Sequence, residues 1–403
     1  MSEPMRRLRE LLARLPEASE IAQRVRAAGV AAESLRDPAD LARIPVLKKE
    51  ALPALHRQPG ALEALLPLGG LAAASRVFYS PAGIFDFEAR EGAHWRSLEA
   101  LRAAGIGPGD LVLNTFSYHL TPAARLADEG AIALGACVVP AGPGQIPIQL
   151  DLMRRLGITV YVGLPSFLGM LIDAAGEQKI DWKRDLRVRK AIVGAEPIAA
   201  SARQRFEQQF GIEVFTIYGS ADVGMIGYEC DRHDGWHLDA ALIVQICDPA
   251  TGAPLAEGEL GEVVITVPRD FYPLVRFALG DLSRLREEPC ACGRPGPRLA
   301  DVLGRANQAV KVRGMFVYPG FVHDIARAHA WIEAVRLRIE RDGDSDLMGV
   351  LVLPKAGAGA PADLSPVEKT VREVTKLRGD VKLVDAATFR ASDKLIEDLR
   401  RWD

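Results

Sequence analysis

Residues 191–224 read AIVGAEPIAASARQRFEQQFGIEVFTIYGSADVG, and this stretch decides the fold. Two apolar runs each end at a glycine, Gly194 and Gly219, and an amphipathic segment lies between them. An apolar, β-branched run, a turn, a segment of helical period and a second run predict a βαβ crossover between parallel strands. Ligands of parallel sheets bind beyond the carboxyl ends of the strands, so we expect both glycine turns to face one crevice.

The residue types in the two turns suit a nucleotide. The candidates are Gly194, Ala195, Glu196 and Pro197 in the first turn and Tyr218, Gly219, Ser220 and Asp222 in the second. The glycines let backbone approach a base or a phosphate, the tyrosine offers a ring for stacking, and the aspartate can hold a metal ion. Two ordinary turns that bind nothing would show the same spacing, so that alternative stays open here.

Composition and charge exclude several classes of protein. The 403 residues fit a large domain with a smaller one. The net charge of −3 gives no electrostatic case for binding nucleic acid or an anionic membrane. The N-terminus, MSEPMRRLRELLARLPEASEIAQRV, is charged and broken by Pro16, so it predicts an amphipathic helix and not a signal peptide. Apolar runs fall short of the ~20 residues of a membrane span. We expect a soluble, cytoplasmic protein, and a homodimer is left open.

The central stretch and four later segments form an ordered series of motifs. They are GAEPIAASARQRFEQQFGIEVFTIYGSADVGMIGYEC at 194–230, ELGE at 259–262, YPLVRFALGD at 272–281, CACGR at 290–294 and LGR at 303–305. Together they resemble the adenylate-forming acyl-CoA ligases, in particular the phenylacetate-CoA ligase branch. In that family a GAEP turn and a YGSTEVG turn bracket the adenine and the acyl carboxylate.

The fold class follows from this resemblance and from the pattern of elements. Strand, glycine turn and helix recur about every 30 residues in the first half of the chain. The chain after Cys230 is rich in strands, with hairpin turns at Gly252 and Gly258. We expect an α/β protein whose large N-terminal domain, residues 1–303, has parallel sheets flanked by helices and a small antiparallel barrel-like subdomain at about 230–300. Residues 304–403 are expected to form a small, mobile α+β C-terminal domain.

The resemblance assigns further nucleotide residues. Asp281 matches the family aspartate that accepts both ribose hydroxyls, which a short acid after a glycine turn can do. Arg305 matches the arginine near the phosphates, where a guanidinium offers paired donors. Asn307 falls where relatives place an acidic hinge residue about which the small domain turns.

The expected catalytic residues depart from the family pattern. Relatives carry a lysine near the C-terminus that stabilises charge on the α-phosphate, and that position falls here on Ser392. Lys394, two residues on, is the candidate replacement, and a solvated lysine is the alternative. Asp222 stands where a glutamate commonly holds Mg²⁺, and Ala221 stands where a threonine meets the phosphate.

The segment that aligns with the family's phosphate loop is also altered. It reads SRVFYSPAGIFDFE at residues 75–88. It keeps Ser80, Pro81 and Gly83, gains two aromatics and the acids Asp86 and Glu88, and lacks the lysine of a typical loop. Two carboxylates would repel a triphosphate unless Mg²⁺ lay between them.

Four residues are candidates for the acyl pocket. They are Tyr118, His119, Phe167 and Val193, which lie at or near the ends of expected strands. Backbone hydrogen bonding by His119 at a helix start is an equal alternative. The resemblance implies an aryl or arylacetic acid as substrate.

The cysteines offer a metal site. Cys230 and His233 in one segment and Cys290 and Cys292 in another supply three thiolates and an imidazole, which suffice for a closed tetrahedral zinc site. His237 is a rival fourth ligand, and reduced cysteines in surface turns are the alternative. Such a zinc ion would be structural.

We therefore expect an AMP-forming acyl-CoA ligase that uses ATP, Mg²⁺ and CoA, releases AMP and contains a structural zinc ion. Its partners would be a small carboxylic acid and CoA. The alternative is a degenerate relative that binds AMP or an acyl-CoA without forming an adenylate and acts as a partner or regulatory subunit. A third hypothesis is an enzyme that transfers an acyl group from a preformed adenylate.

Overall fold

The computed structural model describes the chain except residues 81, 250, 260, 301, 303, 307–309, 314, 318, 344, 356, 358–360, 391, 393 and 401–403, and except the side chains of 304, 305, 316, 319, 320 and 323. The chain divides into two compact units. The large unit comprises Met1–Gly163, Ala174–Ala195 and Phe206–Ala306. The small unit comprises Leu164–Asp173, Glu196–Arg205 and Asn307–Asp403. No helix among the described residues is long and apolar enough to cross a membrane.

Ten α-helices lie in the described part of the chain before residue 205. They are α1 Glu3–Arg14, α2 Glu20–Ala27, α3 Leu52–His56, α4 Ala61–Leu65, α5 Leu98–Ala103, α6 Ala123–Ala133, α7 Ile146–Leu156, α8 Pro165–Glu177, α9 Trp182–Asp185 and α10 Ala200–Gln204. A π-helical turn, Arg205–Gln209, follows α10. The first helix has the expected amphipathic character, because Met5, Leu8 and Leu11 are buried while its arginines are exposed.

The strands of the large unit fall into three sheets. They are β1 Leu47–Lys48, β2 Ala74–Tyr79, β3 Phe85–Ala89, β4 Leu111–Asn114, β5 Cys137–Pro140, β6 Val160–Gly163, β7 Lys190–Val193, β8 Glu213–Ser220, β9 Gly224–Tyr228, β10 Trp236–Leu238, β11 Ile243–Cys247, β12 Gly261–Val267, β13 Leu274–Ser283, β14 Leu285–Arg286, β15 Arg298–Leu299 and β16 Gly304–Arg305.

The main sheet has nine strands in the order β14-β15-β10-β9-β8-β7-β6-β4-β5. The five strands from β5 to β8 run parallel, and the four beyond β8 are antiparallel to their neighbours. Every residue of β6 is buried, as expected for a parallel strand covered on both faces. Because β7 and β8 are adjacent and parallel, the crossover expected for residues 191–224 is confirmed.

The second sheet corrects one sequence expectation. Its strands lie in the order β1-β13-β12-β11, with β16 also paired to β13. The described strands form no closed barrel, because β10, β14 and β15, from the same part of the chain, pair into the main sheet instead. The barrel-like subdomain at about 230–300 is therefore an open sheet plus strands that extend its neighbour.

A buried arginine of the second sheet forms hydrogen bonds with the N-terminal segment. Arg276 on β13 is 1% exposed, and its guanidinium donates to the carbonyl oxygens of Leu41, Ala42 and Ile44 at 2.8–3.1 Å. These hydrogen bonds link two segments that are far apart in the sequence. Residues 1–46 are thereby held as a cover over β11 and β13.

The small unit has its own core. Its later elements are β17 Val310–Val312, β18 Met315–Val317, α11 Pro319–Arg327, β19 Ile332–Asp342, β20 Ser345–Pro354, α12 Ser365–Thr375, β21 Asp380–Leu383, α13 Ala386–Phe389 and β22 Ile396–Asp398. A four-stranded sheet in the order β21-β20-β19-β22 buries Leu337, Val350 and Val352. Val367 and Val371 of α12 belong to the same hydrophobic cluster, so the α+β expectation for this part of the chain is confirmed.

Gly194 provides a test of the central crossover. A Cβ added to Gly194 would lie 2.8 Å from Ile217 Cγ1 and 2.9 Å from the Ile217 carbonyl oxygen of β8. Since backbone of a central strand cannot move aside cheaply, we expect Gly194→Ala to lower the free energy of unfolding by about 1–3 kcal/mol. Urea denaturation measures this change.

The matched control is Gly176→Ala in α8, where no heavy atom lies within 4 Å of the added Cβ. We expect this variant to be as stable as the wild type or slightly more stable, because alanine favours a helix over glycine. Equal stability of Gly194→Ala and the wild type would contradict the close approach of β7 and β8.

Candidate nucleotide-binding site

Three of the expected nucleotide residues lie together where the two large sheets meet. The Tyr218 hydroxyl, on β8, donates to Asp281 Oδ2, on β13, at 2.9 Å, and both side chains are buried. Arg305 of β16 is the backbone partner of Asp281, which places these two residues side by side. The structure thus brings together three residues that the sequence assigned separately to the adenine, the ribose and the phosphates.

Trp236 is a residue of this site that sequence reasoning missed. Its ring stacks on Tyr218 with centroids 5.1 Å apart and an interplanar angle of 14°. Its Nε1 donates to Thr216 Oγ1 at 2.7 Å, which fixes the indole in place. One face of Tyr218 is therefore covered by protein, so an adenine could stack only on the other face. The sequence carries no local signal for this stack, because Tyr218 and Trp236 lie on β8 and β10 and meet only once the sheet has formed.

The glycines of the two turns allow a close approach of neighbouring backbone. Gly194 allows the contact with Ile217 described above, and a Cβ at Gly219 would lie 2.8 Å from the Gly224 carbonyl oxygen. Ala195 has a φ of +70°, which is strained for a residue other than glycine. Strand packing explains both glycines, so their presence alone does not indicate a nucleotide.

Glu196 and Pro197 fall in the small unit, where the glutamate has a defined role. Glu196 Oε1 accepts a hydrogen bond from the Ser166 backbone N–H at 2.8 Å, at the start of α8. A carboxylate at a helix N-terminus satisfies a free donor and interacts favourably with the helix dipole. Glu196 therefore caps the N-terminus of α8.

Asp222 lies in the turn between β8 and β9 and is fully buried. Its Oδ2 forms an ion pair with Lys49 Nζ, whose side chain is 13% exposed. The Arg269 guanidinium donates to the Asp222 carbonyl oxygen at 2.9 Å. No sequence signal links Lys49 to a residue 173 positions away.

The altered phosphate-loop segment forms a two-stranded hairpin of β2 and β3. The Ser80 backbone N–H donates to the Ile84 carbonyl at 2.8 Å, and Ser80 Oγ accepts from the Ile84 N–H at 3.2 Å. This hydroxyl therefore serves the turn itself. A hairpin that closes in this way differs from an open loop whose donors cradle phosphates.

The two acids of the hairpin are held inside the protein. Glu88 accepts hydrogen bonds from Arg76 at 2.6 Å, from Trp95 Nε1 at 3.1 Å and from Arg125 at 3.3 Å. Asp86, on the same face of β3, is 2% exposed, and its burial and the nearby Asp222 carboxylate raise its pKa well above the ordinary value.

Two histidines hold the ends of β3. His56 Nδ1 accepts a hydrogen bond from the Phe85 N–H at 2.9 Å, and His94 Nδ1 accepts one from the Ala89 N–H at 3.2 Å. Burial lowers the pKa of both rings, and burial together with nearby arginines lowers the pKa of His94 to about 2. Both rings must be neutral at these nitrogens in order to accept.

The acyl-pocket candidates do not share one environment. The Tyr118 hydroxyl donates to Asp128 Oδ1 at 3.0 Å, and burial and Asp128 raise its pKa. Val193 is fully buried in β7, while His119 is exposed and donates its backbone N–H to Ser117 Oγ at 3.1 Å. Phe167 lies on α8 and is part of the small unit.

Lys394 is exposed on a loop of the small unit. Buried Arg336, on β19, donates to the carbonyl oxygens of Lys394, at 2.8 Å, and of Ser392, and its guanidinium lies 4.5 Å from the centre of the Phe389 ring. The backbone around Lys394 is thereby fixed while its ammonium faces solvent. Asn307, the expected hinge, lies outside the described residues.

The cysteine cluster contains three thiols and one imidazole. Ligand atoms of Cys230, His237, Cys290 and Cys292 all lie within 4.8 Å of one another. The Cys230 and Cys290 sulfurs are 3.8 Å apart, and Cys292 Sγ lies 3.3 Å from His237 Nε2. The structure places His237 with the thiols, and His233 Nδ1 instead lies 3.3 Å from a Glu229 oxygen.

Comparison with known proteins agrees with this geometry. The AMP-binding enzyme family matches residues 96–269. Phenylacetate-coenzyme A ligases from Pseudomonas putida and Thermus thermophilus are 32% and 31% identical over 64% and 57% of this chain, and 60% and 52% of their own lengths are covered. The Escherichia coli enzyme is 27% identical over 81% of this chain and 76% of its own.

The chain is similar to phenylacetate-coenzyme A ligases, and part of it matches the AMP-binding enzyme family. It spans little more than half the length of the two ligases with the highest identity given above. A solved 2-hydroxyisobutyryl-CoA ligase, in complex with 2-HIB-AMP and CoA, superimposes with a TM-score of 0.87 over 99% of this chain and 89% of its own, at 24% identity. This likeness shows that the fold is that of adenylate-forming ligases.

In this adenylate-forming fold, His94 provides a test of how the hairpin is held. The unfolded chain binds a proton at His94 below about pH 6.5, whereas the folded protein, with a His94 pKa of about 2, does not. The contribution of His94 to stability is therefore complete above pH 6.5 and declines as the pH falls. In His94→Asn, the amide oxygen can accept from the Ala89 N–H and does not titrate. When the pH falls from 7 to 5, we therefore expect the free energy of unfolding to decrease by about 2 kcal/mol less in this variant than in the wild type.

Urea denaturation at the two pH values measures the difference. His119→Asn, at an exposed histidine, is the control and should follow the wild type. A His94→Asn variant with the same pH dependence as the wild type would contradict a neutral, buried imidazole.

Proposed function

We propose that the chain is an AMP-forming acyl-CoA ligase that acts on an aryl or arylacetic acid. The observation that carries the proposal is the meeting of Tyr218, Asp281 and the backbone of Arg305 at the junction of the two sheets. The similarity to phenylacetate-coenzyme A ligases supports the substrate class. The partners in this reaction are a small carboxylic acid and CoA.

The reaction has two steps. A carboxylate oxygen of the acid attacks the α-phosphorus of ATP, and pyrophosphate leaves with the electrons of the broken P–O bond. The thiolate of CoA then attacks the carbonyl carbon of the acyl-adenylate and AMP leaves, so a thioester replaces the mixed anhydride. In the first step the ribose of ATP would bind through its two hydroxyls, which donate to the Asp281 carboxylate.

The tyrosine supports this binding mode. A hydrogen bond from Tyr218 to Asp281 Oδ2 fixes the direction of the carboxylate, so less freedom is lost when a ribose binds. Arg305 would face the phosphates as a paired donor, Lys394 would supply the cation near the α-phosphate, and Asn307 would serve as the hinge. The roles of these three residues come from the family resemblance.

A pyrophosphate exchange assay with a panel of carboxylic acids tests the function. We expect exchange with at least one aryl or arylacetic acid, and a decrease of about 10- to 100-fold in kcat/KM for ATP in Asp281→Asn, since a hydrogen bond to a charged acceptor is lost. Asp231→Asn, in an exposed turn, is the matched control and should retain full exchange.

The alternative function gives a different result in the same assay. A protein that binds AMP in calorimetry but shows no exchange with any acid would be a nucleotide-binding relative without adenylation, and the ligase proposal would be wrong. Absence of both exchange and AMP binding at millimolar ligand would overturn the assignment of the nucleotide site as well.

We also propose that the cysteine cluster holds a structural zinc ion. Ligands bound at 2.3 Å to a tetrahedral ion lie about 3.8 Å apart, and this agrees with the separation of the Cys230 and Cys290 sulfurs. The donors Cys230, His237, Cys290 and Cys292 leave no open position for water, so the ion would stabilise the packing of two loops against β10. Because the thiols must stay reduced, a cytoplasmic location accords with this proposal.

The two histidines near the cluster distinguish this site from a set of free thiols. We expect one zinc ion per chain in the wild type and in His233→Ala, and loss of zinc with a lower Tm in His237→Ala, because His237 Nε2 lies 3.3 Å from Cys292 Sγ whereas His233 Nδ1 lies 3.3 Å from a Glu229 oxygen. Elemental analysis of the purified protein and thermal unfolding measure both quantities. Zinc that is lost in His233→Ala and kept in His237→Ala would contradict the assignment.

A further inference from the structure

The position of Asp222 raises the question of what balances its charge. The family resemblance assigns a magnesium ligand to this position, yet the buried Asp222 carboxylate is paired with Lys49. The Lys49 side chain is itself largely buried, so both charges have left water and depend on each other. A cation supplied by the chain already occupies the place next to Asp222 Oδ2.

Hydrogen bonding around Asp222 and Asp86 shows how the second acid is accommodated. Asp222 Oδ1 and Asp86 Oδ1 are both buried, and neither accepts a hydrogen bond from a described donor. Two buried carboxylate oxygens without donors are costly as separate ions. One proton held between the two carboxyl groups would satisfy both oxygens, because a carboxylic acid donates to a neighbouring carboxylate.

The groups that face this pair agree with a shared proton. Burial and the nearby Asp222 carboxylate raise the pKa of Asp86, which favours its protonated form. Burial also raises the pKa of Tyr272 and lowers the pKa of Arg269 to about 9, and both side chains interact electrostatically with the two acids. His56, on α3, also interacts with Asp222, and burial lowers its pKa.

The resulting charges leave no place for a divalent ion. With one proton shared, the two acids carry one negative charge, and Lys49 supplies one positive charge. Arg269, whose pKa of about 9 keeps it charged at pH 7, donates to the Asp222 backbone and adds a further positive charge. A divalent ion beside Asp222 would meet two buried cations at close range, and this repulsion is poorly screened in the interior.

We propose that Lys49 takes the place of a metal ion at Asp222, so that Asp222 and Asp86 form a proton-sharing acid pair neutralised by the chain and do not ligate Mg²⁺. The proposal rests on the proposed function in one respect only, which is that the nucleotide of this site is ATP. Asp222 thus does not fit the magnesium role expected for it from the sequence. In this chain Asp222 positions Lys49 and the hairpin and does not hold the metal of the nucleotide.

Binding of Mn²⁺ to the full chain without nucleotide tests the proposal. Free Mn²⁺ is measured by electron paramagnetic resonance during titration of the wild type, Asp222→Asn and Lys49→Met. We expect no Asp222-dependent Mn²⁺ site in the wild type. In Lys49→Met the acid pair loses its cation, and we expect it to bind Mn²⁺ at least about tenfold more tightly than the wild type does.

The matched control is Lys48→Met. Lys48 is the preceding residue and also pairs with a buried carboxylate, that of Glu262. It should acquire no tight Mn²⁺ site. The Mn²⁺ site that Lys49→Met creates should be absent from the double variant that also carries Asp222→Asn.

Two results would overturn the proposal. One is a wild-type protein that binds one Mn²⁺ per chain and loses it in Asp222→Asn. The other is a folded Lys49→Met variant that binds Mn²⁺ no better than the wild type. Should Lys49→Met fail to fold, the comparison of the wild type with Asp222→Asn decides by itself. Because no acid, ATP or CoA is present, the outcome is independent of whether the chain forms an acyl-CoA.

Discussion

The hydrogen bond between Tyr218 and Asp281 joins the two large sheets next to the backbone of Arg305. Tyr218 belongs to the parallel core of the main sheet and Asp281 to the longest strand of the second sheet. Both are buried, so a lost partner would leave a desolvated carboxylate or hydroxyl. This cost favours one arrangement of the two sheets. The strand β16, which carries Arg305, pairs with β13 and is positioned with it.

Elsewhere in the large unit, buried acids are paired with cations of the chain. Glu88 is neutralised by two arginines, and Asp222 is neutralised by Lys49. The hairpin that replaces the phosphate loop is held at both ends by histidines that accept backbone hydrogen bonds. The divergence of this segment is therefore a coordinated change of charge and hydrogen bonding, and the fold around it is preserved.

The cysteine cluster lies in a different part of the large unit. Cys230 follows β9, His237 lies on β10, and Cys290 and Cys292 lie in the loop between β14 and β15. These strands extend the parallel core by antiparallel pairing, and their ends bring four donors within reach of one ion. The cluster thus lies where strands that were expected to close a barrel join the main sheet instead.

The sequence by itself determined the central crossover, the α/β class of the large unit and the α+β class of the small one. These follow from hydrophobic period, glycine turns and family motifs, which are local features of the chain. It also identified Tyr218, Asp281 and Arg305 as one site, although through resemblance to relatives and without their geometry.

Only the tertiary structure decided how distant residues pair. Lys49 meets Asp222 across 173 positions, Trp236 covers one face of Tyr218, and His237 joins three thiols in place of His233. None of these contacts has a local signature, because a side chain's partner depends on which strands become neighbours in a sheet. The open second sheet has the same cause, since β10, β14 and β15 read equally well as strands of either sheet until their pairing is known.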